Sequence, residues 1–494
     1  MNALDWNGLR AVLPSGLRAA LVRLLRDRGG PLYLSGGAVR DLLRGQPPGD
    51  VDLTVANDAR GWAAALARML GGAYVPLGRQ EDAARMVCGQ LVVDIAAFRE
   101  GAATILDDLR LRDLTVNALA VPLDALLTGT VAGTDPVDLL DPTGGRWDLE
   151  AGRIRLISEK SLLDDPLRLL RVFRFAATLD WTVDEGTLAL VQRHRELLAR
   201  PSPERIAHEL DLIMAVAGAH RAIAAMAETG LLWVVLPELA AGVGMEQPAS
   251  HHLDVFHHSL EALLWMGRII EEPGRWFPAN REEVCAYLAR EHRPRQLRWA
   301  ALLHDLGKPI TFARRADRDD RITFYNHDRA GAHMVRAFAR NLRWSNEDRE
   351  AVALLIEGHM RPFHLVNSAR RTPLSLRAAI RLIRWVGEDL PGLFCLAMAD
   401  SLAGQGEGRW ERMEAELADL YHQIEEIRQQ YVKPVQTAPP LVTGRDLITL
   451  LQLEPGPLFK VILEGVELAR MEGRVRDREA ALAFARELAL ARTG

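Results

Sequence analysis

Two aspartates stand two positions apart in Gly49-Asp50-Val51-Asp52-Leu53-Thr54-Val55. On a strand, a period of two aims both carboxylates at one face. There they can share hard cations; Mg2+ takes oxygen ligands and holds substrate phosphates as well, so the pair suits phosphoryl or nucleotidyl transfer by two metals. An isolated Asp-x-Asp is more often a polar sheet face. What precedes it changes the reading: Leu34-Ser35-Gly36-Gly37-Ala38-Val39-Arg40-Asp41 takes a strand through a Gly-Gly turn into a helix N-terminus, whose exposed N–H groups can hold a triphosphate. Together they describe nucleotide plus metal.

A second constellation lies in the middle of the chain: His258, His304-Asp305, His327, His359 and Asp400. A lone histidine on a helix is more often structural, but an adjacent His-Asp after the apolar run 300–303 offers the mixed nitrogen and oxygen ligands that suit divalent transition metals. His251, His252 and His257 compete with His258 for the first position. A third feature is Asp164-Asp165-Pro166-Leu167-Arg168, which reads as the start of a helix running through Arg171, Arg174 and Ala177. At about 100° per residue, Asp164, Arg168 and Arg171 share an arc of about 60°, either a solvated face or a binding face.

The elements that position these groups follow from periodicity. Apolar residues at helical spacing from Leu17 to Leu25 end at Gly29-Gly30; then come a strand over 31–34, a helix over 38–44, a strand over 51–55, a helix over 59–70 and strands near 84–87 and 91–96. From 161 to about 431 the pattern is overwhelmingly helical, broken near 201–203, 248–252 and 273–278. The proline-rich stretch 433–440 reads as a linker to a final helical piece, 444–493. The domains expected are a head over 1–149, a helical neck over 150–245, a central block over 246–432 and a tail over 441–494.

At 494 residues the chain exceeds one hydrophobic core, and 48% hydrophobic with 26% charged residues is ordinary globular composition. A net charge of -5 excludes nucleic-acid binding through overall basicity and leaves it to a local surface. Cys88, Cys285 and Cys395 lie too far apart for a disulfide framework or a paired-cysteine zinc site, which points to a reducing cytoplasm. The first twenty residues, which include Asp5, hold no uninterrupted apolar stretch, and no segment approaches the roughly 20 apolar residues of a membrane span.

The motifs resemble those of the class II tRNA nucleotidyltransferases and bacterial poly(A) polymerases, within the polymerase-β-like superfamily. The family's Gly-Gly-x-Val-Arg-Asp and Asp-x-Asp are matched by Gly36, Gly37, Val39, Arg40, Asp41, Asp50 and Asp52, and its third carboxylate falls on Asp94. Its Arg-Arg-Asp-Phe-Thr-x-Asn-Ala segment, associated with ribose recognition, appears as Leu111-Arg112-Asp113-Leu114-Thr115-Val116-Asn117-Ala118, with Leu111 for an arginine and Leu114 for a phenylalanine. Its Glu-Asp-x-x-Arg, which reads the base edge of CTP or ATP, falls on Asp165 and Arg168, with Asp164 in place of the glutamate; Arg171 and Arg174 then line the triphosphate, and Glu204-Arg205 matches a further neck motif. Asp141-Pro142-Thr143-Gly144-Gly145 matches the segment that joins head to neck as a hinge. The order His, His-Asp, His, His, Asp resembles the HD phosphohydrolase superfamily.

The resemblance implies an α+β fold: a small mixed-sheet head, then a mostly α-helical neck, an HD domain and a tail. It implies transfer of CMP, AMP or both from CTP and ATP to the 3′ end of tRNA, with Mg2+ at Asp50 and Asp52. A divalent transition metal or Mg2+ is expected at the HD site. Only eight residues, 100–107, separate Phe98-Arg99 from Asp108-Leu109; in the family such shortness accompanies addition of the two cytidines alone, so CC and CCA addition both stand. The alternatives are a poly(A) polymerase of the same family and an HD-type metal phosphohydrolase acting on RNA ends or nucleotides. No membrane partner is expected, and the sequence leaves the oligomeric state open.

Overall fold

The computed structural model describes residues 9–10, 12–78, 81–128, 137–315 and 320–493; Asp5 lies outside them. The described chain forms two compact units, 1–213 with 221–235, and 214–220 with 236–494.

The first unit is built on a six-stranded mixed sheet in the order β3-β4-β5-β2-β1-β6: β1 (Leu32–Ser35), β2 (Val51–Val55), β3 (Ala73–Pro76), β4 (Ala83–Cys88), β5 (Leu91–Ala97) and β6 (Ala120–Pro122). Strands β2 and β5 pair in parallel and the other neighbours are antiparallel. Alternation decides the two faces. Val51, Leu53, Val55, Ala84, Met86, Val93 and Ile95 are buried, and α3 (Ala59–Leu70) packs on β4 and β5. Asp58 starts that helix by accepting from the Gly61 N–H, and Gly71 ends it at φ +69°. The intervening positions Arg85, Asp94 and Asp52 fall in one row across three strands, because Arg85 pairs with Asp94 and Asp94 with Asp52.

Two helices precede α3: α1 (Ser15–Arg28) and α2 (Gly37–Leu43). Between β5 and β6 comes α4 (Ile105–Arg110), with a capping box from Thr104 and Asp107, and after β6 comes α5 (Gly145–Glu150). Asp141 accepts from the Gly145 and Arg146 N–H groups, which fastens the start of α5. The neck supplies α6 (Glu159–Asp164) and α7 (Arg168–Leu179). Among the described residues the second unit is helical apart from a two-stranded ribbon, Ala313–Arg315 with Arg321–Thr323. Its central helix, Leu390–Ala403, is apolar on every face except at Asp400 and Ser401 and is buried along nearly its whole length, as a helix enclosed by others must be. Among the described residues no helix is long and apolar enough to cross a membrane.

The expected α+β architecture is the one observed, with four differences. Strands β3 and β6 have no counterpart in the sequence expectation. Asp50 precedes β2 instead of lying on it. Asp164 ends α6, so it does not share a helix face with Arg168 and Arg171; Asp165 is extended (φ −140°) as the residue before Pro166, and the next helix begins only at Arg168. The expected linker is partly helical: Lys433–Thr437 continues from Met413–Ile427 through a wide turn at Arg428–Val432, and Pro434 follows directly after that turn.

Candidate active site in the head and metal centre in the HD block

The head cleft forms where the Gly36-Gly37 turn meets the carboxylate row. Gly36 has φ +69°, and a Cβ there would lie 3.0 Å from Arg112 Nη1 and 3.3 Å from Asp52 Oδ2; at Gly37 it would lie 3.3 Å from the same oxygen. Glycine therefore lets the backbone close on Asp52, and the Ala38 N–H donates to Asp52 Oδ2 at 3.2 Å. Burial, together with Asp50 and Asp94 nearby, raises the Asp52 carboxyl to about 6. Arg85 faces this row: its Nε and Nη2 donate to the two oxygens of Asp94 at 2.7 and 2.8 Å, and Nη2 stands 3.6 Å from Asp50. Asp50, Asp52 and Asp94 lie near enough to influence one another, and oxygen donors of this kind suit a hard divalent cation.

Beside the row lies a cavity of about 920 Å³, lined by Gly36, Gly37, Arg40, Asp52, Asp94, Arg112, Asp113, Asn117, Asp165, Arg168, Arg171 and others. Arg112 is buried and directs its N–H groups inward, to Asp108, Ser35, Thr54 and the Asn117 carbonyl. Burial alone would raise the Asp113 carboxyl, but Arg171, donating twice to Oδ2, holds it far below the usual carboxylate range. Arg40 donates to Asn117 Oδ1 at 2.8 Å. Arg168 donates to the carbonyls of Arg112 and Leu111, and Asp165 accepts from Arg205. Phe175 sits amid the guanidiniums of Arg40, Arg171 and Arg174. Arg174 pairs with the buried Glu209 and is not on the cavity wall. The sequence reading missed Arg85, Phe175 and Glu209. Arg85 leaves no local signal, because its partner is set by strand register.

In the second unit, His258 on Val255–Glu271, His304 and Asp305 after Arg293–Leu303, His327 at the start of His327–Asn341, His359 after Asn346–Gly358, and Asp400 converge. Nδ1 of His304, His327 and His359 each bonds the carbonyl three residues earlier, at 2.9, 2.8 and 2.7 Å. A carbonyl only accepts, so Nδ1 carries a proton on all three rings and Nε2 faces inward, as a lone pair on His327 and His359, whose rings burial keeps neutral. His327 and His359 face each other at 3.1 Å through Nε2, and burial drives the His359 imidazole down to about 3. Two opposed lone pairs need a cation. His304 Nε2 is buried and makes no hydrogen bond, while burial of its ring is outweighed by Asp305 and Asp400, which lift it to about 9. Asp305 belongs to two of the three ligand triads, with His258 and His304 and with His327 and His359.

Among the rivals, His257 bonds Asp254 and His252 accepts from the Gln405 N–H, whereas His258 lies 3.1 Å from Asp400 and His251 shares a third candidate triad with these two. The cavity here, about 820 Å³, is lined among others by Lys308, Arg321, Phe324, His327 and Trp410.

Three family descriptions match the chain: "Poly A polymerase head domain" over 32–155, "Probable RNA and SrmB- binding site of polymerase A" over 180–242 and "HD domain" over 255–404. An A-adding tRNA nucleotidyltransferase of Deinococcus radiodurans is 34% identical over 91% of this chain and 94% of its own length. A CC-adding tRNA nucleotidyltransferase of Thermus thermophilus is 33% identical over 91% and 92%. Among solved structures, a CCA-adding enzyme in an apo form shares the fold, with a TM-score of 0.63 at 21% identity over 99% of this chain and 97% of that one. The Thermotoga maritima CCA-adding enzyme complexed with tRNA has a TM-score of 0.58 at 20% identity, over 99% and 100%.

Proposed function

This chain belongs to the family of tRNA nucleotidyltransferases, and from that premise we propose that its head cleft transfers CMP, AMP or both from CTP or ATP to the 3′ end of tRNA in the cytoplasm. The observation that carries the reading is the row of Asp52 and Asp94, with Asp50 at its edge, pressed against a Gly-Gly turn and opening onto a cavity walled by arginines. Mg2+ held by Asp50, Asp52 and Asp94 would supply charge neutralisation and activation of the attacking hydroxyl.

The chain's own side chains bind and orient. Gly36 and Gly37 admit the triphosphate close to the backbone, and Arg40 and Arg171 present positive charge on the cavity wall. Asn117 holds Arg40 and Asp113 holds Arg171 in place, while Arg112 fastens the Asn117 carbonyl. Arg168 keeps an N–H free on each terminal nitrogen and Asp165 keeps acceptor lone pairs, so the two can read a base edge, where a wrong base leaves buried polar groups unpaired. Arg174, through Glu209, supports Arg171 from behind.

The test is incorporation of each labelled nucleotide, separately, into tRNA ending at the discriminator, at C and at CC, with Mg2+. Incorporation confined to tRNA ends, and its loss in Asp50→Ala with Asp52→Ala, is expected. Long A tails on arbitrary RNA, or incorporation that survives the double substitution, would overturn the reading.

The inward-facing histidines carry a second reading: metal-dependent hydrolysis of a phosphoester on an RNA end or nucleotide, with Lys308 beside Asp305 at 2.6 Å to meet the phosphate. Phosphate release from such esters with Mn2+, Co2+ or Ni2+, abolished by Asp400→Ala, would establish it; no release with any of the three metals would remove it.

A further inference from the structure

The two flanks of the carboxylate row differ. Asp52 and Asp94 line the large cavity, whereas Asp50 and Arg85 do not. In an in-line transfer the attacking hydroxyl enters opposite the departing pyrophosphate. If the cavity takes the nucleoside triphosphate, the RNA end must therefore arrive on the side of Asp50 and Arg85.

Arg85 is arranged for such an arrival. Nε and Nη2 grip Asp94 along one edge of the guanidinium, a bidentate pair that fixes the plane of the group. Nη1, on the other edge, makes no hydrogen bond to any described residue, and the side chain is 40% exposed. A guanidinium anchored by one fork, with free N–H donors at its outer edge, is a preorganised receptor for a phosphate oxygen. The acidic neighbours Asp50, Asp52 and Asp94 all raise the Arg85 pKa, so it stays charged.

We propose that Arg85 is a positioning residue of the acceptor side: its outer edge takes a phosphodiester oxygen of the incoming RNA 3′ end while its inner edge keeps Asp94 aimed along the row. RNA engagement and the orientation of the third carboxylate then share one side chain. The inference rests on the transfer reading of the head cleft, and its test separates the two.

The experiment is binding of tRNA ending at the discriminator to the full chain in EDTA without nucleotide, followed by fluorescence anisotropy from about 50 to about 300 mM salt. Arg85→Gln should weaken binding about fivefold and reduce the salt slope by about 0.7, the loss of one single-strand phosphate contact. Arg85→Lys keeps a charge but cannot hold Asp94 with a fork, so it should keep RNA affinity within about twofold while kcat falls at least tenfold. CTP binding should be unchanged in both. Equal RNA affinity and salt slope in Arg85→Gln and the unsubstituted protein would overturn the proposal, as would weakened CTP binding with RNA binding intact. Should Arg85→Gln not fold, Arg85→Lys decides, since a lysine variant that loses the slope while its melting temperature holds contradicts the proposal. If the unsubstituted protein binds tRNA but incorporates no nucleotide, it is the transfer reading that fails.

Discussion

A methyl group at position 36 would meet Arg112 Nη1 on one side and Asp52 Oδ2 on the other, on a backbone already in the left-handed region. Gly36→Ala should therefore cost roughly 1–2 kcal/mol in backbone strain. Because one of the two neighbours is a carboxylate of the row and must give by a few tenths of an ångström, nucleotide incorporation should fall by about tenfold, less than the hundredfold of a full ångström's misplacement, while the melting temperature drops only a few degrees. Unchanged incorporation would show that the turn does not set the position of Asp52. The Asp52 carboxyl allows a second test. Its folded pKa, raised to about 6, lies above the ordinary value of 3.8. In the metal-free protein the stability contributed by its protonation is full below about 4 and is lost as pH rises through about 6. Mg2+ competes for the same oxygens, so each pH unit below about 6 should weaken it about tenfold. The difference in melting temperature between Mg2+ and EDTA should be small at about pH 5, grow through about pH 6 and level off above about pH 7. A difference independent of pH would place the Mg2+ away from Asp52.

Helix α5 meets the turn Thr115–Asn117 so closely that a Cβ on Gly145 would stand 2.0 Å from the Thr115 carbonyl oxygen, a backbone atom that cannot swing aside. Gly145→Ala should destabilise the first unit by about 2 kcal/mol or more, read as a lower melting temperature; an unchanged one would mean that the two elements can separate freely. Contacts of this kind show where legibility in the sequence stops. Strands β2, β4 and β5 and helix α3 were readable because their apolar positions alternate or recur every three to four residues. Strand β3 was not, since it is an exposed edge strand with no buried face and ends in Pro76. Strand β6 was not, being three residues inside a buried stretch that only its pairing with β1 defines. The carboxylates, the glycine turn and the histidine set were legible because chemistry constrains residue type at fixed spacing. Arg85, Phe175 and Glu209 were not, because register and packing between distant segments bring them to the site.

On the scale of the whole chain, the two candidate sites offer different donor atoms, lie in two compact units and, among the described residues, have no side chain in common. The head cluster is all oxygen, suited to a hard ion that substrate phosphates help to hold. The HD cluster gathers five histidines with two aspartates, three of the rings locked by backbone carbonyls, a donor set suited to a borderline transition metal. Loading should therefore separate cleanly. With Co2+ as probe, His304→Gln combined with His359→Gln should abolish the visible absorption of histidine-bound cobalt, and Mg2+-dependent incorporation of CMP or AMP should remain within about twofold, as independent sites allow. Asp50→Ala with Asp52→Ala should do the reverse, keeping the cobalt band and losing incorporation. Loss of both properties from the histidine substitutions alone, in protein that still melts cooperatively, would mean that the second unit is part of the transfer machinery and that the division of labour argued from the ligand sets is wrong.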